Sequence, residues 1–119
     1  TDEILIDGKS NGDIGELVLK DRELLSDNGI VIVTATLEKV GKKVLAGPEV
    51  LTRGFIYVKE NNDLIKEAEN ISASIIEANT KHNYVDYNNI KIEIRDKVGK
   101  YFYDQTECKP MILVVIQEI

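Results

Sequence analysis

The chain has 119 residues, 43% of them hydrophobic, enough for one domain whose core forms without disulfide staples. Its 15 Lys and Arg stand against 21 Asp and Glu, a net charge of -6 that sets the global field slightly against nucleic-acid phosphates and leaves only a local basic patch to bind them. Cys108 is the single cysteine, which excludes an internal disulfide framework and suits a reducing cytosolic setting, and no apolar run approaches the ~20 residues of a membrane helix.

Thr1 stands where a methionine would open a complete chain, and Ile4-Leu5-Ile6 follows almost at once, so the sequence reads as a soluble piece of something longer. Ile4-Leu5-Ile6 predicts a short strand, and Asp7-Gly8-Lys9-Ser10-Asn11-Gly12 is made of turn-formers, so residues 1–12 read as the end of a linker and 13–119 as the domain. Asp13 and Glu16 have the spacing of a capping box. Leu17, Val18, Leu24 and Leu25 then recur on one face, which predicts a helix over 14–27 ended by Asn28-Gly29.

Ile30 to Leu37 is β-branched and almost continuously apolar, the pattern of a central strand. Glu38 to Lys43, with Gly41 inside, predicts a polar turn, and Val44-Leu45-Ala46 the returning strand of a hairpin. Gly47-Pro48 is expected to interrupt that pairing, because proline has no amide hydrogen to give a ladder. Extended character resumes over Val50 to Val58, with Gly54 marking a bulge or a close backbone approach and Arg53 redirected beside it.

Leu64, Ala68, Ile71 and Ile75 predict a helix over 62–79, capped by Asn61 or Asn62. Asp86 is placed to cap the next helix, whose apolar face is Ile90, Ile94, Val98 and either Tyr101 or Phe102, with Gly99 weakening it locally. Lys109-Pro110 is expected to stop that helix and start the strand Met111 to Ile116. The sum is an α/β chain of the α+β type, a small mixed sheet of about three to four strands with two to three helices against it. The last strand should lie beside Ile30–Leu37, since both are apolar enough for interior positions.

Chemistry is sparse. His82 is the only histidine, so a catalytic zinc centre, which usually takes two or three imidazoles, is not within this chain's means. No phosphate loop or dinucleotide fingerprint is present. Glu67, Glu69 and Asp96 read as solvated helix faces, with Glu93–Lys97 and Asp96–Lys100 as supporting i,i+4 pairs. No catalytic or metal-binding residue is therefore assigned. Lys39, Lys42 and Lys43 gather at the hairpin tip, while Lys91, Arg95, Lys97 and Lys100 lie along the final helix with Tyr84, Tyr87, Tyr101 and Tyr103 nearby. That set reads either as a solvated face or as an RNA contact through Lys39, Lys42, Lys43, Arg95 and Lys100.

Gly12-Asp13-Ile14-Gly15, Leu19 to Ile30 with Asp21-Arg22 and Gly29, Gly47-Pro48-Glu49, Arg53-Gly54-Phe55-Ile56-Tyr57 and Pro110-Met111-Ile112, in this order and spacing, resemble the C-terminal portion of a bacterial ribonuclease J. The resemblance covers nearly the whole chain and gives Asp13, Gly29, Arg53, Gly54, Phe55 and Pro110 as motif positions. Gly8-Lys9-Ser10-Asn11 departs from the Gly-Leu-Gly-Val common in the family and hints at a diverged paralogue. The resemblance implies a cytoplasmic parent with a metallo-β-lactamase domain, an inserted β-CASP domain and a two-zinc HxHxDH centre, degrading and maturing RNA from the 5′ end and internally. Nothing in this chain matches those metal ligands, so zinc belongs to the parent and this chain carries no cofactor. The implied partners are its own catalytic domains, a second copy or a paralogue, and RNA held by the parent.

Overall fold

The computed structural model describes residues 3–6, in backbone only, and residues 29–55, 62–81 and 84–119. Six elements run in the order β1 (Glu3–Ile6), β2 (Ile30–Leu37), β3 (Val44–Arg53), α1 (Asn62–Asn79), α2 (Tyr87–Thr106) and β4 (Met111–Glu118). The four strands form one mixed sheet in the order β1-β4-β2-β3, so β4 and β2 are the interior strands and pair in parallel, Val31 beside Ile112 and Val33 beside Val114. Residues counted with the linker's end from sequence thus contribute a backbone strand, β1, antiparallel to Val115–Glu118. The helix expected over 14–27 and the cap at Asp13 lie outside the described residues.

Strand alternation gives the sheet an apolar face. Val31, Val33, Ala35 and Leu37 of β2, Val50 of β3 and Ile112, Val114 and Ile116 of β4 are buried in one cluster with Leu64, Ala68, Ile75 and Ile76 of α1 and Ile90, Ile94, Val98 and Phe102 of α2. Both helices therefore cover the same face, α1 chiefly over β3 and α2 over β4. The helix bounds follow from the sequence. Asp86 is the N-cap of α2, its carboxylate accepting from the Asn89 amide at 3.2 Å.

The structure bears out or corrects four expectations. First, Gly47-Pro48 does interrupt the pairing: Thr34 pairs with Glu49 and Thr36 with Ala46, so Gly47 and Pro48 have no partner in the register, although the two extended runs on either side belong to one bulged strand, β3. Gly47 has φ +85°, and a Cβ there would sit 2.7 Å from the Thr34 carbonyl oxygen, so the bulge needs glycine. The proline is tolerated because β3 is an edge strand, and the neighbouring Val50 amide is satisfied by Glu69 of α1 at 3.1 Å. Glu69 is thus a structural acceptor and not merely a solvated carboxylate. Second, β3 ends at Arg53, and of the two alternatives for Gly54 (φ +70°) the close backbone approach holds and the bulge does not: its carbonyl carbon lies 2.6 Å from where a Cβ on Gly29 would stand.

Third, Lys109-Pro110 does not stop α2. Glu107 does, in the left-handed conformation (φ 61°) with its amide donating to the Tyr103 carbonyl at 2.7 Å. Thr106 adds a second lock, its hydroxyl donating to the Phe102 carbonyl and accepting from the Cys108 amide. Fourth, Lys91 does not decorate the helix surface: only 1% of it is exposed, so it is no surface cation.

Candidate functional site

The tight exit from α2 brings the chain back along the helix that it has just left. Lys109 and the buried Pro110 lead into β4, whose Met111 amide donates to the Gly29 carbonyl at 3.0 Å. Between the returning strand and the last turns of α2 lies a groove of about 610 Å³, within the ~300–1,000 Å³ common for ligand pockets. One wall is helical. Arg95, Gly99 and Tyr103 stand at i, i+4 and i+8, with Asp96 and Lys100 beside them, and Lys109, Pro110, Met111 and Ile112 form the other wall.

Gly99 makes the room. A Cβ at that position would meet Ile112 Cγ1 at 3.7 Å, an ordinary contact, whereas any longer side chain would enter the groove. The lining carries three cations, Arg95, Lys100 and Lys109, and one carboxylate, Asp96, on a chain whose net charge is -6. The Lys109 ammonium lies 5.1 Å from the centroid of the Tyr103 ring, which is 44% exposed. Lys100 is also bonded to Asp104 at 2.7 Å, not to the Asp96 expected from sequence, while Glu93–Lys97 forms as anticipated at 3.2 Å. Both pairs are exposed enough to contribute little to stability.

The hairpin lysines do not join this groove. Lys39 and Lys43 are exposed, but Lys42 folds back, its ammonium 2.7 Å from Glu118 and 5.2 Å from the centroid of the Tyr87 ring. The Tyr87 hydroxyl donates to the same Glu118 oxygen at 2.7 Å. Lys42, Tyr87 and Glu118 thus tie the hairpin loop, the start of α2 and the end of β4 together. The backbone repeats that tie: Lys39 N–H donates to the Ile119 carbonyl and Ile119 N–H to Leu37. Tyr87 opens α2 and Lys100 lies thirteen residues on, so at a helical rise of about 1.5 Å per residue the two lysine groups are roughly 20 Å apart. Of the described tyrosines, Tyr87 is committed to Glu118, Tyr101 packs beside Phe102, Tyr84 is in an exposed loop, and Tyr103 alone lines the groove.

Hydrogen bonds from Lys42 and then Tyr87 hold the Glu118 carboxyl below its ordinary value of 4.5, against a smaller opposing effect of burial. The partner responds in kind, with Lys42 raised above 10.5 chiefly by Glu118. For a carboxylate whose folded value is depressed, the stabilisation is full above about pH 4.5 and is lost as pH falls through the folded value. For a lysine whose folded value is raised, it is full below pH 10.5 and lost as pH rises beyond that. Glu118→Gln is therefore expected to cost about 1–2 kcal/mol at neutral pH and to flatten the acid limb of stability, measured by urea unfolding between pH 7 and 3. An acid limb as steep in the variant as in the parent would place the pH sensitivity elsewhere.

The motif positions cluster where β2 begins and β3 ends. Gly29 and Gly54 meet backbone to backbone, and Phe55 enters the core beside Phe102, with ring centroids 5.1 Å apart and planes at 88°. Arg53 stays exposed, paired in register with Ile30, and Pro110 is buried one residue before β4. Lys109 and Glu118 were missed from sequence. Lys109 is marked there only by its place between Tyr103 and a strand-opening proline, and Glu118 by nothing at all. Among the described residues no three His, Cys, Asp or Glu side chains come together as a metal site, and the donor set does not fit zinc. His82 lies outside the described residues.

The profile of the ribonuclease J C-terminal domain matches residues 17–119. Over 116 residues the chain is 45% identical to ribonuclease J2 of Bacillus subtilis (strain 168) and 43% identical to ribonuclease J 2 of Staphylococcus aureus (strain NCTC 8325 / PS 47). Each match takes in 98% of this chain but 21% of the relative, so the chain spans about a fifth of the length of these curated proteins. The match runs across both halves of the sheet, the Gly29–Gly54 junction and the α2–β4 turn alike, and on that ground the chain belongs to the ribonuclease J family, as its C-terminal domain.

Proposed function

We propose that this domain is a non-catalytic assembly unit of a ribonuclease J-type enzyme. In this reading the enzyme is a cytoplasmic, zinc-dependent nuclease with metallo-β-lactamase and β-CASP domains, cutting RNA from the 5′ end and internally, and the metal chemistry takes place wholly outside this chain. Among the described residues no helix is long and apolar enough to cross a membrane. The observation that carries the assembly role is the apolar tip of the edge hairpin: Val40 is 80% exposed and Leu45 48%, with Val44 beside them. Leu51, 52% exposed, extends the apolar surface along β3. Such a group on an edge strand suits contact with a second copy or a paralogue.

Sedimentation equilibrium tests this. The chain is expected to self-associate with increasing concentration, and Leu45→Glu combined with Val40→Asp to remain monomeric. A parent chain that stays monomeric over the whole range, or variants that associate equally well, would overturn the role. The alternative, an RNA-guiding surface spread jointly over Lys39, Lys42, Lys43, Arg95 and Lys100, is disfavoured in that form, because Lys42 is held by Glu118 and Tyr87 at the start of α2, about 20 Å along the helix from Lys100.

A further inference from the structure

We infer that the α2–β4 groove is a binding site for one nucleotide unit of single-stranded RNA, with Lys100 and Lys109 on the phosphates and Tyr103 against the base. The inference goes beyond the assembly role and uses a different surface; it takes only the choice of RNA from the nuclease reading.

Three features of the groove converge on this ligand. The first is charge: with three cations and Asp96 in the lining, and Asp104 on Lys100 beside it, the groove keeps an excess of positive charge on a chain of net charge -6, and such a local excess concentrates anions. The second is the mixture of surfaces. Gly99, Pro110, Met111 and Ile112 supply apolar walls, and Tyr103 supplies an aromatic ring at the same opening, whereas inorganic phosphate would need only the cations. A flat base attached to a phosphodiester uses both, since stacking on an aromatic side chain tolerates any base and the phosphates fall to the lysines. The third is Asp96, the one carboxylate in the lining, which suits a ribose hydroxyl or an exocyclic amine and would repel an acidic peptide.

The groove is also built to persist. Glu107 and Thr106 fix the end of α2, and Met111 is fixed to Gly29, so the distance between Tyr103 and the strand is set by backbone hydrogen bonds on both sides. Lys109 is placed over Tyr103 by the turn itself, which leaves its ammonium beside the ring before any ligand arrives. That arrangement reduces the ordering needed on binding.

The test is fluorescence anisotropy of the chain with a labelled oligouridylate at low and moderate salt, with a decaglutamate peptide and inorganic phosphate as competitors. Lys100→Ala with Lys109→Ala should weaken RNA binding at least ~10-fold at low salt and flatten the dependence of log K on log salt by about 1.4, the share of two phosphate contacts on a single strand. Gly99→Leu should weaken binding by a similar factor without flattening that slope, by filling the groove, whereas Gly99→Ala should bind as the parent does. Tyr103→Ala should weaken binding at least fivefold, on the order of one stacked base. Val40→Asp with Leu45→Glu should leave RNA affinity unchanged, so failure of the assembly role and failure of this site are told apart. The site is overturned if all groove variants bind RNA like the parent, if the chain binds no RNA at low salt, or if decaglutamate or phosphate alone displaces the oligonucleotide as well as unlabelled RNA does.

Discussion

Replacing Gly29 with alanine is expected to destabilise the domain by about 2–4 kcal/mol, a large part of the roughly 5–15 kcal/mol that holds a domain of this kind together. Two costs add. The residue sits at φ +85°, where an L side chain is strained by about 1–2 kcal/mol. The added Cβ would also lie 2.6 Å from the Gly54 carbonyl carbon and 2.7 Å from both the Arg53 oxygen and the Phe55 nitrogen. All three are backbone atoms, so no rotamer change can relieve the clash. Either β3 must move away from the start of β2 or the Gly29 carbonyl must release the Met111 amide. Thermal unfolding would show the loss as a Tm lowered by ~10 °C or more. A variant within about 0.5 kcal/mol of the parent would mean that the two strand ends are not in contact. Because the same junction starts β4, hydrogen exchange at Met111 should accelerate alongside.

Much of this fold is legible from spacing alone. Leu64, Ala68, Ile71 and Ile75 gave α1 its bounds, Asp86 announced α2, and the β-branched runs at Ile30 and Met111 identified the two interior strands. What local patterns could not convey was the compensation made by distant residues. Gly47-Pro48 marks the break in pairing, but that β3 rejoins the same partner strand beyond it, after a slip in register, is something a one-strand reading does not contain. Lys91 has the composition of a surface residue but falls on the buried face of α2, next to Ile90. Lys42 looked free because Glu118, its partner, is 76 positions away.

The candidate site shows the same division. Arg95, Lys100 and Tyr103 read from sequence as part of a basic, aromatic helix face, and the structure groups them, but with Lys109 in place of the hairpin lysines. Sequence could not show this, because the grouping depends on how sharply the chain turns after α2. A left-handed Glu107 is what folds Lys109 back over Tyr103, and glutamate carries no signal for that conformation. Gly99 illustrates the reverse case. It reads as a flaw in a helix by propensity, yet in the fold it is the position whose missing side chain opens the groove.

Phe102→Ala is expected to have the largest effect of any single substitution in the core, about 3–5 kcal/mol by urea unfolding, because a whole aromatic side chain is removed from a site with 0% exposure. Its neighbours explain why relaxation would be limited. Phe55 meets it edge to face, immediately after the Gly54 bend that Gly29 holds in place, so the strand junction and the end of α2 are joined through the two rings. Reversing the deletion in part should recover much of the loss, with Phe102→Leu costing about 1–2 kcal/mol, since a buried aliphatic chain refills most of the space. A double-mutant cycle of Phe55→Leu with Phe102→Leu should give a coupling of about 0.5–1.5 kcal/mol, the share that belongs to ring geometry and not to burial. Tyr101→Ala, one position away but half-buried at the edge of the core, should cost clearly less than Phe102→Ala. If those two losses came out equal, the face that α2 presents to the sheet would have to be rotated. The groove would then be rotated with it, because Tyr103 takes its direction from the helix that Phe102 anchors.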